Sequence, residues 1–299
     1  GGISSGKVAK WNGTTWESMH FINSSLSIHS VVELNDTIYI APRSSPSLYK
    51  RSGNSWISVA GAPTNIQDIH IFNNQMYIGR LNALHVYDGQ SFTQLTADIS
   101  TLTSFNITNL LSKGDSLFIG GNGSKLNGVN VSNLAIYNGT NFSAFGTFDG
   151  PVNCIHSFNN EIYVSGGFAN APFQNNLRKF NSSNTWVNVV DINTSVNNMA
   201  SNGTDLYFCG SFDLINSIPV SGIAKFSNNT WSSICDNNSN SLNGGIVSQV
   251  LYSGDHLIGG GFYGANGTYK GRLVRFDGTN FHQYGPELNG TVTCMFVDG

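Results

Sequence analysis

The sequence predicts an all-β fold, a seven-bladed β-propeller of four-stranded antiparallel blades, with residues 1–299 as a single domain. Three observations predict it. A β-branched or leucine residue, an aromatic three positions on (an arginine in one copy), a polar turn and a second aromatic recur seven times. Successive second aromatics stand 36 to 50 residues apart, the spacing of propeller blades rather than of helical solenoids. Apolar residues alternate with period two through runs rich in β-branched and aromatic types, and nothing reads as a helix.

The copies, in order, are Val8…Trp11…Trp16, Leu48…Arg51…Trp56, Leu84…Tyr87…Phe92, Leu134…Tyr137…Phe142, Leu177…Phe180…Trp186, Ile223…Phe226…Trp231 and Leu273…Phe276…Phe281. Each predicts a third strand, c, and a fourth, d, across a tight turn such as Asn138-Gly139. Six are preceded by two β-rich runs, a and b, joined by Asn35-Asp36, Asn73-Asn74, Gly114-Asp115, Asn159-Asn160, Gly203-Thr204-Asp205 or Gly254-Asp255. Short Asn, Asp and Gly turns between alternating runs are hairpin signals. A four-stranded sheet with two apolar faces cannot bury both alone, and radial stacking buries face on face. The doublets Gly120-Gly121, Gly166-Gly167 and Gly260-Gly261 suit close backbone approach at the ends of b strands. Residues 291–297 read as a further strand a, so both ends are expected to share the seventh blade, one b strand of about five residues being absent from the sequence. That strand was either trimmed with an end or is supplied by another segment.

Gly-Gly at the end of b, an aromatic in c and a tryptophan five or six residues later resemble kelch repeats. Gly120-Gly121-Asn122…Leu126-Asn127-Gly128…Asn133-Leu134-Ala135-Ile136-Tyr137-Asn138-Gly139-Thr140-Asn141-Phe142 is more similar still to the ectodomain repeats of the fungal cortical marker family for cell polarity. That resemblance implies a glycosylated surface protein with a propeller ectodomain. Copies two and three depart most, with Arg51 in place of the aromatic and Arg80 after Gly79.

Composition narrows the function. Charged residues are 10%, against about 25% in ordinary soluble domains, and the formal charge is -3. No nucleic-acid footprint follows, and no apolar run reaches the roughly 18 residues of a membrane span. The opening Gly1-Gly2 falls inside a motif, so a longer precursor is expected. Fifteen Asn-X-Ser/Thr sequons are present, about twice the random number: Asn12, Asn23, Asn35, Asn106, Asn122, Asn130, Asn138, Asn141, Asn181, Asn193, Asn202, Asn228, Asn237, Asn266 and Asn289. Turn chemistry accounts for Asn12, Asn138, Asn141, Asn181 and Asn228; the excess predicts an N-glycosylated protein of the secretory pathway, extracellular or at the cell surface.

The a–b and c–d turns are uniformly tight, whereas the b–c and d–a connections are long and dissimilar: Ala41–Ser47, Gly121–Asn133, Gly166–Asn176, Ser211–Gly222, Gly261–Arg272, Thr96–Asn106 and Cys235–Gly245. Variable loops on a rigid scaffold are where recognition concentrates. The rim they form is expected to bind a protein or glycan partner; the alternative is loops that nothing constrains. Strand a should line an axial channel with His29, Gln67, Thr108, Asn153, Asn197, Val247 and Thr293, beside a packing row of Ile28, Ile66, Ile107, Val152, Val196, Ile246 and Val292.

No catalytic residue, cofactor or metal site is predicted. No histidine has another three to five positions away, and His70 with His156, in equivalent strand positions, suits packing. Asp277-Gly278-Thr279-Asn280-Phe281 resembles the tail of a sialidase Asp-box, but six scattered arginines and four glutamates supply no obvious cluster or acid pair. Among four cysteines, Cys209 and Cys235 are expected to bridge; Cys154 and Cys294 should be buried free thiols three blades apart. The reading is a non-enzymatic extracellular recognition or adhesion module. Its alternatives are a lectin using aromatics such as Phe173, Tyr263 or Tyr269, or a self-associating subunit of a surface assembly.

Overall fold

The computed structural model describes residues 7–20, 26–42, 48–96, 105–168, 177–194, 196–234, 242–252, 254–263, 272–285, 288 and 290–297. These residues form an all-β propeller with no helix among them. There are six four-stranded antiparallel blades. Blade 1 holds β3 (Ile28–Leu34), β4 (Thr37–Pro42), β5 (Tyr49–Ser52) and β6 (Ser55–Ser58). Blade 2 holds β7 (Ile66–Phe72), β8 (Gln75–Arg80), β9 (Ala83–Tyr87) and β10 (Phe92–Gln94). Blade 3 holds β11 (Asn106–Lys113), β12 (Ser116–Asn122), β15 (Leu134–Tyr137) and β16 (Phe142–Ala144), with the small hairpin β13 (Lys125–Leu126) and β14 (Val129–Asn130) in its b–c connection. Blade 4 holds β17 (Val152–Phe158), β18 (Glu161–Gly166), β19 (Leu177–Phe180) and β20 (Trp186–Val190). Blade 5 holds β21 (Val196–Ser201), β22 (Leu206–Gly210), β25 (Ile223–Ser227) and β26 (Thr230–Ser233), again with a b–c hairpin, β23 (Leu214–Ile215) and β24 (Ile218–Pro219). Blade 6 holds β27 (Asn243–Tyr252), β28 (Asp255–Tyr263), β29 (Leu273–Phe276) and β30 (Phe281–Gln283).

The expected count of seven is corrected to six. β1 (Ala9–Trp11) and β2 (Trp16–Ser18) pair with each other as a two-stranded sheet, and residues 291–297 join no ladder. Seven aromatic hairpins therefore do not make seven blades. A blade also needs strand b, which carries two ladders at once, and no described strand takes that place beside β1.

The turns behave as their residues dictate. Asn35-Asp36, Asn73-Asn74 and Asn159-Asn160 have both residues at positive φ, as a two-residue hairpin matched to the strand twist requires. In the c–d turns one carboxamide or carboxylate closes the loop: Asp88 accepts from the amides of Gln90 and Ser91, and Asn138 from those of Thr140 and Asn141. Strand b is the most buried element, running unbroken through Leu206–Gly210. The space between blades closes on small residues there. A Cβ on Gly79 would stand 2.5 Å from Ile107 Cγ2 of the next blade, and one on Gly120 2.8 Å from Ile155 Cδ1. Arg51, which breaks the aromatic pattern, lies 5.5 Å from the centre of the Trp56 ring and donates to Met19 O. Blade 2 departs at Arg80 because its b–c connection is a tight turn at Leu81 and Asn82.

Candidate recognition rim and axial strand row

Every strand a of the six blades carries a β-bulge at the same place, between Ile28 and Ser30, Ile66 and Asp68, Ile107 and Asn109, Val152 and Cys154, Val196 and Asn198, and Ile246 and Ser248. The skipped residues are His29, Gln67, Thr108, Asn153, Asn197 and Val247, the predicted channel row. A bulged residue is left outside the ladder. His29, Gln67 and Thr108 are half-buried, and Asn153 and Asn197 exposed. Thr108 Oγ1 donates to Val152 O of the next blade at 2.7 Å. Thr293 Oγ1 likewise donates to Ile28 O.

The row one position further on does more, and the sequence reading passed over it. In blades 2 to 5 an N–H beside the bulge finds its acceptor in the preceding blade. Ser30 Oγ accepts from Ile69 N at 3.3 Å, Asp68 Oδ2 from Leu110 N at 2.8 Å, and Asn109 Oδ1 from Ile155 N at 2.8 Å. Cys154 receives the Met199 N–H in the same way. Asp68 also accepts from Ser30 Oγ at 3.0 Å and from its neighbour Ile69 N. Burial still outweighs these bonds and raises its carboxyl to about 6.

The equivalent histidines are interblade stitches. His70 Nε2 accepts from Ser112 N at 2.9 Å, and His156 Nε2 lies 3.0 Å from Ser201 Oγ. Burial lowers both to about 4, so each is neutral at physiological pH. His256 contacts Gln249 Oε1 at 2.7 Å, packs on the Tyr207 ring and is lowered to about 3 by burial. Among the described residues no group of three or more His, Cys, Asp and Glu is placed to hold a metal ion.

The thiols differ from one expectation. Cys209 is a free, fully buried thiol, which gives the expected Cys209–Cys235 bridge no support; Cys235 itself lies outside the described residues. The site at the end of strand b is filled with apolar neighbours such as Ile223 and Phe262, and burial pushes the Cys209 thiol far up. Cys154 is a buried free thiol, and Cys294 is free and half-buried.

The topology places all b–c and d–a connections at one end of the blades. Two are built on a common frame. In blade 3, Asn133 O accepts from Gly121 N, Asn133 Oδ1 from Gly123 N, and Val131 N donates to Ser124 O. In blade 5, Gly222 O accepts from Gly210 N, and Val220 N donates to Asp213 O. Leu126 and Ile215 anchor the two hairpins in the core. Their tips are Asn127-Gly128 and Asn216-Ser217, all at positive φ. The flanking side chains differ: Lys125 in one, Leu214, 41% exposed, in the other. Asn193 clamps the second hairpin, its Oδ1 accepting from the amides of Asp213 and Leu214. Parts of Ala41–Ser47, Thr96–Asn106, Gly166–Asn176, Cys235–Gly245 and Gly261–Arg272 lie outside the described residues, as do Phe173 and Tyr269; Tyr263 closes β28.

Of the sequons, Asn23, Asn237, Asn266 and Asn289 lie outside the described residues. Asn12, Asn35, Asn122, Asn130, Asn138, Asn141, Asn193, Asn202 and Asn228 are exposed, whereas Asn106 and Asn181 are half-buried. Asn12, Asn138 and Asn181 accept backbone N–H bonds within their own turns, the turn chemistry expected of them, and Asn202, for which it was not expected, does the same.

No family model matches the sequence, and no curated protein matches it, so the kelch and fungal cortical marker resemblance stands without a family match. Solved structures do match in fold. One is the extracellular domain assigned to a one component system of B. thetaiotaomicron, 16% identical over 93% of this chain and 37% of that chain, TM-score 0.62. The extracellular domain assigned to a hybrid two component system of that organism matches at 16% identity over 93% and 36%, TM-score 0.64. The computationally designed protein Ika8 matches at 8% identity over 93% of each chain, TM-score 0.57. This chain spans little more than a third of the length of the first two. At such identities the likeness is one of fold.

Proposed function

We propose that the chain is a non-enzymatic, extracellular recognition module that binds a protein or glycan partner through the rim of b–c and d–a connections. The observation that carries the reading is the pair of hairpins, β13–β14 and β23–β24. They share one hydrogen-bonded frame and one buried anchor, yet present different side chains at the same rim. A rigid frame with variable tips lowers the ordering cost of binding. The opposite rim is built of turns of two to five residues and carries no such hairpin among the described residues. That two structures of similar fold are extracellular domains supports the location.

The sequon excess supports N-glycosylation along a secretory route. Expression in a secreting eukaryotic host, followed by mass mapping of glycopeptides, should find glycans at exposed positions such as Asn35, Asn122 and Asn130 and none at half-buried Asn106. A protein secreted without any glycan would contradict this part of the reading. Recognition is tested by applying the labelled protein to a glycan array and to an array of secreted proteins. A Lys125→Ala/Leu214→Ala variant should weaken binding to a hit about tenfold or more, and Asp36→Ala/Asp115→Ala on the opposite rim should not. Absence of any hit on both arrays, or equal loss from the two variants, would overturn the proposal.

A further inference from the structure

Two joints of the ring are made by the same pair of strand positions. Between blades 2 and 3, Asp68 accepts from Leu110 N, and His70 Nε2 accepts from Ser112 N. Between blades 4 and 5, Cys154 accepts from Met199 N, and His156 Nε2 lies 3.0 Å from Ser201 Oγ. The joints of blades 1 to 2 and 3 to 4 use Ser30 and Asn109, with Val32 and Leu111 in the histidine's place. Blade 5 meets blade 6 differently. Asn198 Oδ1, its member of the accepting row, is buried without a hydrogen-bond partner. Gln249 Nε2 donates instead to Asn198 O and Tyr207 O, and Gln249 Oε1 faces His256 Nε2 at 2.7 Å. The Gln249 oxygen can only accept, so His256 carries its proton on Nε2, and its Nδ1 is left buried without a partner.

These rings are held neutral. A second proton would bring a charge into each joint and, on His256, a buried N–H with no acceptor. Among the described residues the histidine with a carboxylate in ion-pair reach is His282, on Asp277. His156 is faced by Cys154, Tyr163 and Ser201, and nearby Glu161 is engaged by Lys179 and Tyr163 Oη. His256 is faced by Tyr207, Gln249 and Phe276, with Asp205 beside Tyr207 Oη and Lys225, and Asp255 beside Arg275. His70 is faced by Tyr77 and Ser112, with Lys113 turned to Asn160 O and Asp68 two residues before it.

We propose that blade 5 is released by mild acid, parting from blades 4 and 6 and drawing the β23–β24 hairpin out of the rim, while blade 3 and its hairpin stay in place. Loss of a bound partner on release rests on the rim reading above. The titrations set the direction. Burial lowers His70 and His156 to about 4 and His256 to about 3, against 6.5 for a released ring. A fall from pH 7.5 to 5 therefore favours release by about 10–30-fold at each. Asp68 opposes this at its own joint. Its carboxyl titrates at about 6 in place and 3.8 when released, so the same fall favours the closed joint about tenfold. The joint between blades 2 and 3 is thus nearly balanced. Cys154, pushed up to about 12, does not titrate in this range, so nothing offsets His156.

Amide exchange at pH 7.5 and 5.0, each rate taken relative to the unstructured chain at the same pH, tests the release without any partner. Protection of β21 and residues 211–222 should fall about tenfold or more, and that of β11 and residues 123–131 about threefold or less. His156→Gln keeps a hydrogen-bonding group for Ser201 and does not titrate; it should recover at least about threefold of the loss at β21. Asp68→Asn leaves His70 unopposed and should make β11 sensitive to acid by about tenfold. An equal fall in blades 3 and 5, no fall in blade 5, or a His156→Gln protein that behaves as the parent would overturn the proposal. This result stands whether or not the arrays yield a partner. A partner that they do yield should bind about tenfold more weakly at pH 5. Equal binding at both values, in a protein whose blade 5 opens, would overturn the release of the partner alone.

Discussion

Asp68 is the charged member of a row whose counterparts Ser30, Asn109 and Cys154 are neutral at physiological pH, and all serve one purpose, to accept an N–H freed by a bulge in the next blade. Its carboxyl, raised to about 6 by burial, lies above the 3.8 of an unfolded aspartate. It therefore favours the folded state fully below pH 3.8 and loses that contribution as pH rises through 6. Asp68→Asn keeps an acceptor for Leu110 N, as Asn109 does for Ile155 N. The variant should gain about 1–2 kcal/mol at pH 7.5, allowing for solvent screening, and nothing at pH 3.5, measured by urea unfolding. Unchanged stability at both values would refute the desolvation account. The histidines act the other way. His70, His156 and His256 are lowered to about 4, 4 and 3, so their contribution is present above pH 6.5 and is lost as pH falls toward 4. Three such groups outweigh one carboxylate, so the protein should lose stability between pH 6.5 and 4. His156→Gln should flatten that slope; a steeper one would contradict the assignment.

Between blades, geometry at single elements decides cost. Gly79→Ala drives a methyl into Ile107 and should cost about 1–3 kcal/mol through overpacking. Ile215→Ala removes the buried anchor of the β23–β24 hairpin and should cost about 2–5 kcal/mol while loosening that part of the rim, read as faster amide exchange over residues 211–222. Protection there equal to the parent's would show that the frame bonds alone hold the hairpin. The element order was legible in the sequence because the a–b turns are two or three residues, nearly all Asn, Asp or Gly, between alternating runs. The bulge was not, since a period-two reading assigns alternate residues to opposite faces. Yet a signal was present. Ile66 and Ile69, Ile107 and Leu110, and Val152 and Ile155 are three positions apart, and all are buried. An odd spacing with both residues inside requires one extra residue in the strand, and that extra residue is the predicted channel row.

For the whole molecule, the repeat of paired aromatics specified a propeller but overcounted its blades. The motif resides in strands c and d, so it registers β1 and β2 as a blade although they form a two-stranded sheet. Strand b has no comparably distinctive residue pair, and its burial on both edges is a property of the assembled sheet. The expected disulfide is unsupported for a related reason: two cysteines near one rim say nothing about whether a thiol is packed in the core, as Cys209 is. Which rim is variable was readable from loop length alone. The bonds of Asn133 and Asn193 that hold two of its hairpins needed coordinates.

The molecule is a propeller of six complete four-stranded blades, and among the described strands β1 pairs with β2 alone. Amide hydrogen exchange resolved along the chain tests this architecture most directly. Exchange should be slowest in β4, β8, β12, β18, β22 and β28, which carry two ladders each, and fast in β1 and residues 291–297. Protection of β1 and residues 291–297 in the free protein, equal to that of the other a and c strands, would contradict it.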